Sequence, residues 1–398
     1  MSFASKYSED SSFENSMQLN LAMDEGDVGS ENHGSASSGA ATSASASASA
    51  LSVAGAAGVG AGDDKHQRRN RKRLSVNVNT SYTESPSYDV TQSVFTKGNI
   101  AIGKTSVQMR GRNKRFVVNK SELQIGETIG RGSSSFVQRA VHIPTGTQLA
   151  LKNINMFDKG KRDQLMREIE TLYDASCEAI VGFFGAFYSE GVISVALEYM
   201  DGGSLTNMLH QIGPLNEGVL APIAYQVIYG LAYLKSVLKR MHRDLKPSNI
   251  LVNSSGLVKL TDFGIARELE SSMAFCETFV GTFKYMSPER IRNERYDYAS
   301  DVWSLGIILI EACTGEYPYS GGDSYISHVQ SVLEQPSPTL PSIFSKPFQE
   351  LVATCLQKDP KQRLPADILI GSPFFKMHGV ISLSMAQQFL CSWIQCGP

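Results

Sequence analysis

The chain has 398 residues, 42% of them hydrophobic, and sets 37 Lys and Arg against 39 Asp and Glu for a formal charge of −2. That apolar content suffices for one or two globular units with ample core. The charge balance excludes a generally basic surface, so nucleic acid is not expected as the main partner. Six cysteines, Cys177, Cys276, Cys313, Cys355, Cys391 and Cys396, form no CxxC pair and no regular spacing. They read as small core residues in a reducing compartment, which places the protein in the cytoplasm, with the nucleus as a second expected location.

The opening "MSFASKYSEDSSFENS" lacks a basic start followed by an apolar block, and Ser2 stands where myristoylation needs glycine. Neither an export signal nor a membrane anchor is expected. The run from Ala40 to Gly62 is Ala, Ser and Gly with few large aliphatics, a flexible linker by composition. Up to about Asn119 no helical or strand periodicity is sustained, so residues 1–119 are expected to form a disordered arm. Within it "RRNRKRLSVNV", residues 68–78, joins a basic cluster to Leu74, Val76 and Val78 at alternate positions. A solvated tail or a nuclear-import patch is the plain reading of such a run.

From Ser121 the pattern changes. "LQIGETIG", "FVQRAVHI" and "TQLALKNI" alternate as strands do and are punctuated by Gly, Pro and Thr. "RDQLMREIETL" then puts Leu165, Ile169 and Leu172 on one helical face. After Gly202 and Gly203 the patterns become helical, as in "APIAYQVIYGLAYLKSV" and "ASDVWSLGIILIEACTG". A strand-rich part followed by a helical part predicts an α+β fold of two packed lobes with a cleft between them.

The turn "GRGSSSFV" is Gly-x-Gly-x-x-Ser between two strand-like runs, where glycines let backbone N–H groups approach phosphate oxygens. A plain Gly-rich hairpin would read the same way, and no Walker-type GxxxxGK[ST] is present. Lys152 ends "LALK", and Glu168 on the following helix is placed to pair with it across strand and helix. Each of these two could equally be a surface charge. The pattern sharpens at "MHRDLKPSNILV" followed by "LTDFG", where Asp244, Asn249 and Asp262 flank an expected hairpin through "NSSG". Two such side chains can hold hard, oxygen-seeking Mg²⁺ while the third accepts a proton.

Gly loop, Lys152, Glu168, HRDLKPSN and DFG in that order resemble the protein kinase family over roughly residues 121–375. The resemblance implies a bilobal kinase fold with a strand-rich N-lobe, a helical C-lobe and a C-terminal extension over 376–398. It implies ATP and Mg²⁺ as cofactors. Gly130, Arg131, Gly132, Ser133, Ser134 and Ser135 would cover the phosphates, with Val137, Ala150 and Leu251 around the nucleotide. Leu197 falls at the gatekeeper position, and Glu198 to Met200 would offer hinge groups to adenine. Lys152 and Glu168 would form the activating ion pair. Asp244 would orient the substrate hydroxyl, Lys246 would neutralise the γ-phosphate, and Asn249 and Asp262 would hold the metal. His242 is expected as a packed imidazole, Asp301 as an anchor of the catalytic loop, and Glu289 as the partner of Arg363.

"DLKPSN", "GTFKYMSPER", "ALEYMDGGSL" and "VGFFGAF" further resemble the mitogen-activated protein kinase kinases. That likeness implies dual Thr/Tyr phosphorylation of a downstream mitogen-activated protein kinase and control by an upstream kinase. In "SSMAFCETFVGT" the expected regulatory phosphosites are Ser272 and Thr278, whose spacing resembles plant-type members, with Ser271 as the neighbouring alternative. Their phosphates would pair with Arg243 and Arg267, and Thr282 would sit near Asp244 and Lys246. In such a kinase residues 68–78 resemble a docking peptide for the substrate kinase. A serine/threonine kinase of a neighbouring cascade branch, and a scaffold that binds without transferring phosphate, are the alternatives left open.

Overall fold

In the computed structural model, residues 89–397 are described, except 92–93, 98, 110–117, 133–134, 156–158, 264–282 and 320–324. Ser133, Ser134, Arg267, Ser271, Ser272, Thr278, Thr282 and the 68–78 stretch therefore lie outside the described residues.

A five-stranded antiparallel sheet is built from β5 (Leu123–Arg131), β6 (Ser135–His142), β7 (Thr147–Asn155), β8 (Phe183–Ser189) and β9 (Val192–Glu198), in the order β5-β6-β7-β9-β8. β7 is central, and Lys152 lies opposite Val137 on β6 and Val195 on β9. Alternation sorts its side chains. Leu149 and Leu151 enter a small core with Leu123, Ala140, Phe187 and Ala196, which leaves Ala150 and Lys152 on the opposite face. Helix α1 (Lys159–Asp174) crosses from β7 to β8 and buries Leu165, Met166, Ile169 and Leu172, the helical face expected from the sequence.

Upstream lies a second sheet of β1 (Asp89–Thr91), β2 (Val94–Lys97), β3 (Ile100–Ile102) and β4 (Val107–Met109). The disordered arm expected over 1–119 is corrected here, because residues 89–109 form this sheet. Ile100, Ile102, Val107 and Met109 are buried in the main core, and Tyr188 of β8 donates its backbone N–H to Gly103 O at 2.8 Å. Strands of three or four residues carry too few alternations for period-2 patterning to register. The burial that stabilises them is supplied by β8, far along the chain.

The helical part contains α2 (Leu205–Ile212), α3 (Glu217–Ser236), α4 (Pro288–Ile291), α5 (Ala299–Thr314), α6 (Tyr325–Glu334), α7 (Lys346–Cys355), α8 (Ala366–Leu369), α9 (Pro373–Met377) and α10 (Leu383–Cys396). α3 and α5 are apolar on all sides, as buried helices are, and form the centre of this lobe. Asn216 caps α3 by accepting from Val219 N, and Gly315 ends α5 in the left-handed conformation at φ 77°.

Between α3 and α4 a short hairpin, β10 (Ile250–Val252) with β11 (Val258–Leu260), packs on α3. Its turn is held from two sides. Asp201 accepts from Ser254 N and Oγ at 2.7 and 2.6 Å, and Gln387 of α10 donates to Ser255 O at 3.2 Å. Gly256 (φ 79°) lies so close to α10 that a Cβ there would stand 2.2 Å from Gln387 O.

Candidate active site

The β10–β11 hairpin explains how two residues far apart in sequence meet. Asn249 directly precedes β10, Asp262 follows β11, and Thr261 N donates to Asn249 O at 3.1 Å across the open end. Both oxygen-bearing side chains therefore sit at one end of a two-stranded ladder. Asp262 adopts φ 56°, a left-handed conformation uncommon outside glycine that turns the chain out of the strand.

Asp244 lies in the loop after α3. Lys246 Nζ donates to its Oδ2 at 2.7 Å, and Asn249 Nδ2 reaches the same oxygen at 3.1 Å and Asp244 O at 2.8 Å. Two donors thus fix the orientation of one carboxylate. The loop itself is held by Asp301, whose two oxygens accept from His242 N and Arg243 N, each at 2.8 Å. Arg243 sits at φ 70°, so this anchor stabilises a backbone conformation that would otherwise be strained. Burial raises the pKa of Asp301 above the usual carboxylate range, although the nearby His242 and the two amides oppose it. His242 is fully buried beside the Phe263 ring, 5.4 Å between centroids, and burial lowers its pKa in spite of the acids around it. It is the packed imidazole the sequence reading expected.

From the sheet side, Lys152 Nζ donates to Asp262 Oδ1 at 2.6 Å and to Glu168 Oε1 at 3.2 Å. Burial works against the ammonium, but the charges of Asp262 and then Glu168 outweigh it, so Lys152 is held firmly protonated. Burial pushes Glu168 up, with Lys152 opposing, while Lys152 overrides burial at Asp262 and keeps it ionised. One ammonium therefore joins β7, α1 and the end of the hairpin.

The remaining expected residues lie on strands of the five-stranded sheet, at the link between the lobes and on β10. Gly130 and Arg131 end β5, and Gly132 after them donates its N–H to Ser135 O at 2.8 Å to close the turn. Val137 and Ala150 are half-buried on adjacent strands, Leu197 and Met200 are buried at the link between the lobes, and Leu251 is half-buried on β10. Glu198 behaves differently. Its N–H donates to Gly182 O at 2.8 Å, and its Oε2 accepts from Gly182 N at 3.0 Å and lies 3.1 Å from Lys259 Nζ. Its side chain, itself part-exposed, is thus committed to a pair with the buried Lys259. Sequence reasoning missed Lys259, which looks like an ordinary strand lysine yet is only 1% exposed.

A buried pair supports the helical lobe. Arg363 grips Glu289 through two bonds of 2.7 and 2.8 Å, and Ser300 Oγ donates to the same carboxylate at 2.7 Å. This is the expected Glu289–Arg363 clamp. Arg290, next to Glu289, donates to Arg243 O at 2.6 Å and so ties α4 to the catalytic loop.

Comparison with known proteins agrees with this geometry. The protein kinase domain family matches residues 123–375. Mitogen-activated protein kinase kinase 3 of Arabidopsis thaliana is 50% identical over 261 residues, 65% of this chain and 50% of that protein. Mitogen-activated protein kinase kinase 2 of the same plant is 36% identical over 319 residues, covering 75% and 88% of the two chains. Mitogen-activated protein kinase kinase SIPKK of Nicotiana tabacum is 39% identical over 277 residues, covering 68% and 78%. The chain thus spans half the length of the first relative and more than three quarters of the other two. With its lysine, paired carboxylates and hairpin-borne oxygen donors arranged as described, the chain belongs to the protein kinase family and, within it, to the mitogen-activated protein kinase kinases.

Proposed function

We propose that the protein is an ATP-dependent dual-specificity kinase that phosphorylates Thr and Tyr in the activation loop of a downstream mitogen-activated protein kinase. The observation that carries this reading is the meeting of Lys152, Glu168 and Asp262 within 2.6 to 3.2 Å, beside an Asp244 oriented by Lys246 and Asn249. A protein that only bound partners would have no use for an oriented Asp244.

The residues fit Mg²⁺ and ATP by donor chemistry. Mg²⁺ takes oxygen ligands, usually one or two from protein and the rest from phosphate and water. Asn249 and Asp262 are oxygen donors, and among the described residues no cluster of three His, Cys, Asp or Glu forms a self-sufficient metal cage. When bound, the metal nucleotide supplies the transferable phosphoryl group and the positive charge that offsets its oxygens. This chain's own residues do the rest by positioning. Asp244 accepts the hydroxyl proton of the substrate as its oxygen bonds to phosphorus and the bond to the leaving oxygen breaks. Lys246 and Asn249 hold Asp244 in place, and Lys152 presents a fixed positive charge to the phosphates.

Activation follows in this reading from phosphorylation of Ser272 and Thr278 by an upstream kinase, with residues 68–78 recruiting the substrate kinase. The cytoplasm, with the nucleus as a second site, is proposed on cysteine usage and the basic cluster. The test presents the protein, with Ser272→Asp and Thr278→Asp, to a panel of catalytically inactive mitogen-activated protein kinases and maps the phosphorylated residues. Phosphate on both Thr and Tyr of one activation loop is expected. Phosphate on neither, or on serine and threonine of unrelated proteins alone, would contradict it.

A further inference from the structure

The hairpin that carries Asn249 and Asp262 is held along both edges and at its tip. Along one edge, Gly202 N donates to Val252 O at 3.1 Å and Val252 N to Gly203 O at 2.8 Å, which joins β10 to the chain following the link between the lobes. Along the other, Leu260 N donates to Ala179 O at 2.8 Å and Val181 N to Leu260 O at 3.0 Å, which joins β11 to the connection between α1 and β8. These bonds set the hairpin's register to the nearest residue. A shift of a few tenths of an ångström along the strands stays within their tolerance, so finer placement depends on what the tip meets.

The three residues of the tip are tied to three different elements. Ser254 donates its N–H and hydroxyl to Asp201. Ser255 O accepts from Gln387 Nε2 of α10 at 3.2 Å. Gly256 O accepts from Gln226 Nε2 of α3 at 3.1 Å, and Gln226 Oε1 accepts from Val258 N at 2.9 Å. Gly256 also abuts α10 main chain to main chain, since a Cβ there would stand 2.2 Å from Gln387 O and 2.5 Å from Cys391 N. No rotamer change in α10 relieves that contact, because the atoms it meets are backbone. The helix itself is seated: Leu383, Ala386 and Leu390 are buried, and Ser382 caps it by accepting from Met385 N at 3.2 Å. A rigid helix against the tip acts as an end-stop. The open end with Asn249 and Asp262 lies only three residues per strand away, about 10 Å at the usual strand rise, and a close-packed ladder transmits a displacement over that distance.

We infer that α10 positions the metal-holding side chains: by stopping the hairpin at Gly256 and holding Ser255 O through Gln387, it sets the placement of Asn249 and Asp262 at the opposite end. Gln387 is thus a positioning residue that acts through the hairpin. The inference rests on the kinase reading above, in which those two side chains take Mg²⁺.

The experiment measures Kd for a non-hydrolysable ATP analogue on the full chain, once with saturating Mg²⁺ and once in EDTA, and takes the ratio as the affinity gained from the metal. In Gln387→Met, which fills similar space without an N–H, that gain should fall about fivefold, the scale of one net hydrogen bond. Kd in EDTA should stay within about twofold of the parent. Gln387→Lys restores a donor with the reach to Ser255 O and should recover the gain to within about twofold. Gly256→Ala forces a side-chain atom against the α10 main chain and should lower the gain by about tenfold or more; if it folds poorly, Gln387→Met and its rescue carry the test alone. A lower Tm in Gln387→Met with an unchanged metal-dependent gain would make α10 a cover of the lobe only and overturn the inference. Equal loss with and without metal, or a failure of Gln387→Lys to recover, would overturn it as well. A parent whose analogue binding is indifferent to Mg²⁺ would remove the metal role of Asn249 and Asp262 and the inference with it, a result distinct from a metal-responsive parent with indifferent variants.

Discussion

Lys152 Nζ stands closer to Asp262 Oδ1, at 2.6 Å, than to Glu168 Oε1, at 3.2 Å. The ammonium is therefore a bridge between the lobes as well as a strand-to-helix pair. Its two carboxylates reach it by different routes, one on the buried face of α1 and one at the end of the hairpin. A shift of α1 against the sheet changes the Glu168 distance, and a shift of the hairpin against the sheet changes the Asp262 distance to the same nitrogen.

The upstream sheet is part of that arrangement, because Ile100 and Ile102 enter the same core as Leu165 and Ile169 of α1. Ile100→Ala should lower unfolding free energy by about 2 to 5 kcal/mol through lost burial and the cavity left behind. Urea denaturation with an unchanged slope would register it. A loss below about 0.5 kcal/mol would show that the sheet does not stabilise the fold.

The Glu289–Arg363 pair lies fully inside the helical lobe. Arg363→Met leaves a buried carboxylate without its partner and should cost roughly 3 to 5 kcal/mol. Burial pushes the Glu289 carboxyl up, but the Arg363 bonds and charge, with Ser300, hold it below the usual glutamate range. Its folded pKa is thus depressed. Its contribution is present above the unfolded glutamate pKa and is lost as pH falls through the lower folded value. Acid unfolding curves of the parent and Arg363→Met should accordingly converge at low pH and separate as pH rises past the glutamate range.

Asp301→Asn keeps size but replaces one of two accepting oxygens by a donor facing an amide N–H. The His242–Arg243 turn should shift, and kcat should drop about 10- to 100-fold through misplacement of Asp244. Nucleotide affinity should change little. Equal kcat in the variant would show that the two 2.8 Å bonds do not position the loop.

Most of the site was legible in the sequence because its residues sit in short contiguous runs whose chemistry is local. "HRDLKPSN" and "DFG" flank the hairpin that brings Asn249 to Asp262, and "LALK" ends on the face of β7 turned from the small core. Periodicity was enough for α1, where Leu165, Ile169 and Leu172 mark the buried side. Elements whose burial is supplied from elsewhere were not legible. The strands around Ile100 and Val107 are too short to show a period, and Lys259 meets the carboxylate of Glu198, which comes to it from another element.

Residues 68–78 are proposed to recruit the substrate kinase by raising its effective concentration. Deleting them should raise KM for a native kinase substrate by about tenfold or more and leave turnover of a generic peptide unchanged. Equal loss on both substrates would reject a docking role.

The central claim is that side chains from both lobes converge to position phosphoryl transfer, and Asp262→Ala tests it most directly. In the protein carrying Ser272→Asp and Thr278→Asp, turnover on an inactive mitogen-activated protein kinase should fall at least about 100-fold while the thermal transition remains cooperative. Undiminished turnover in that variant would contradict the account.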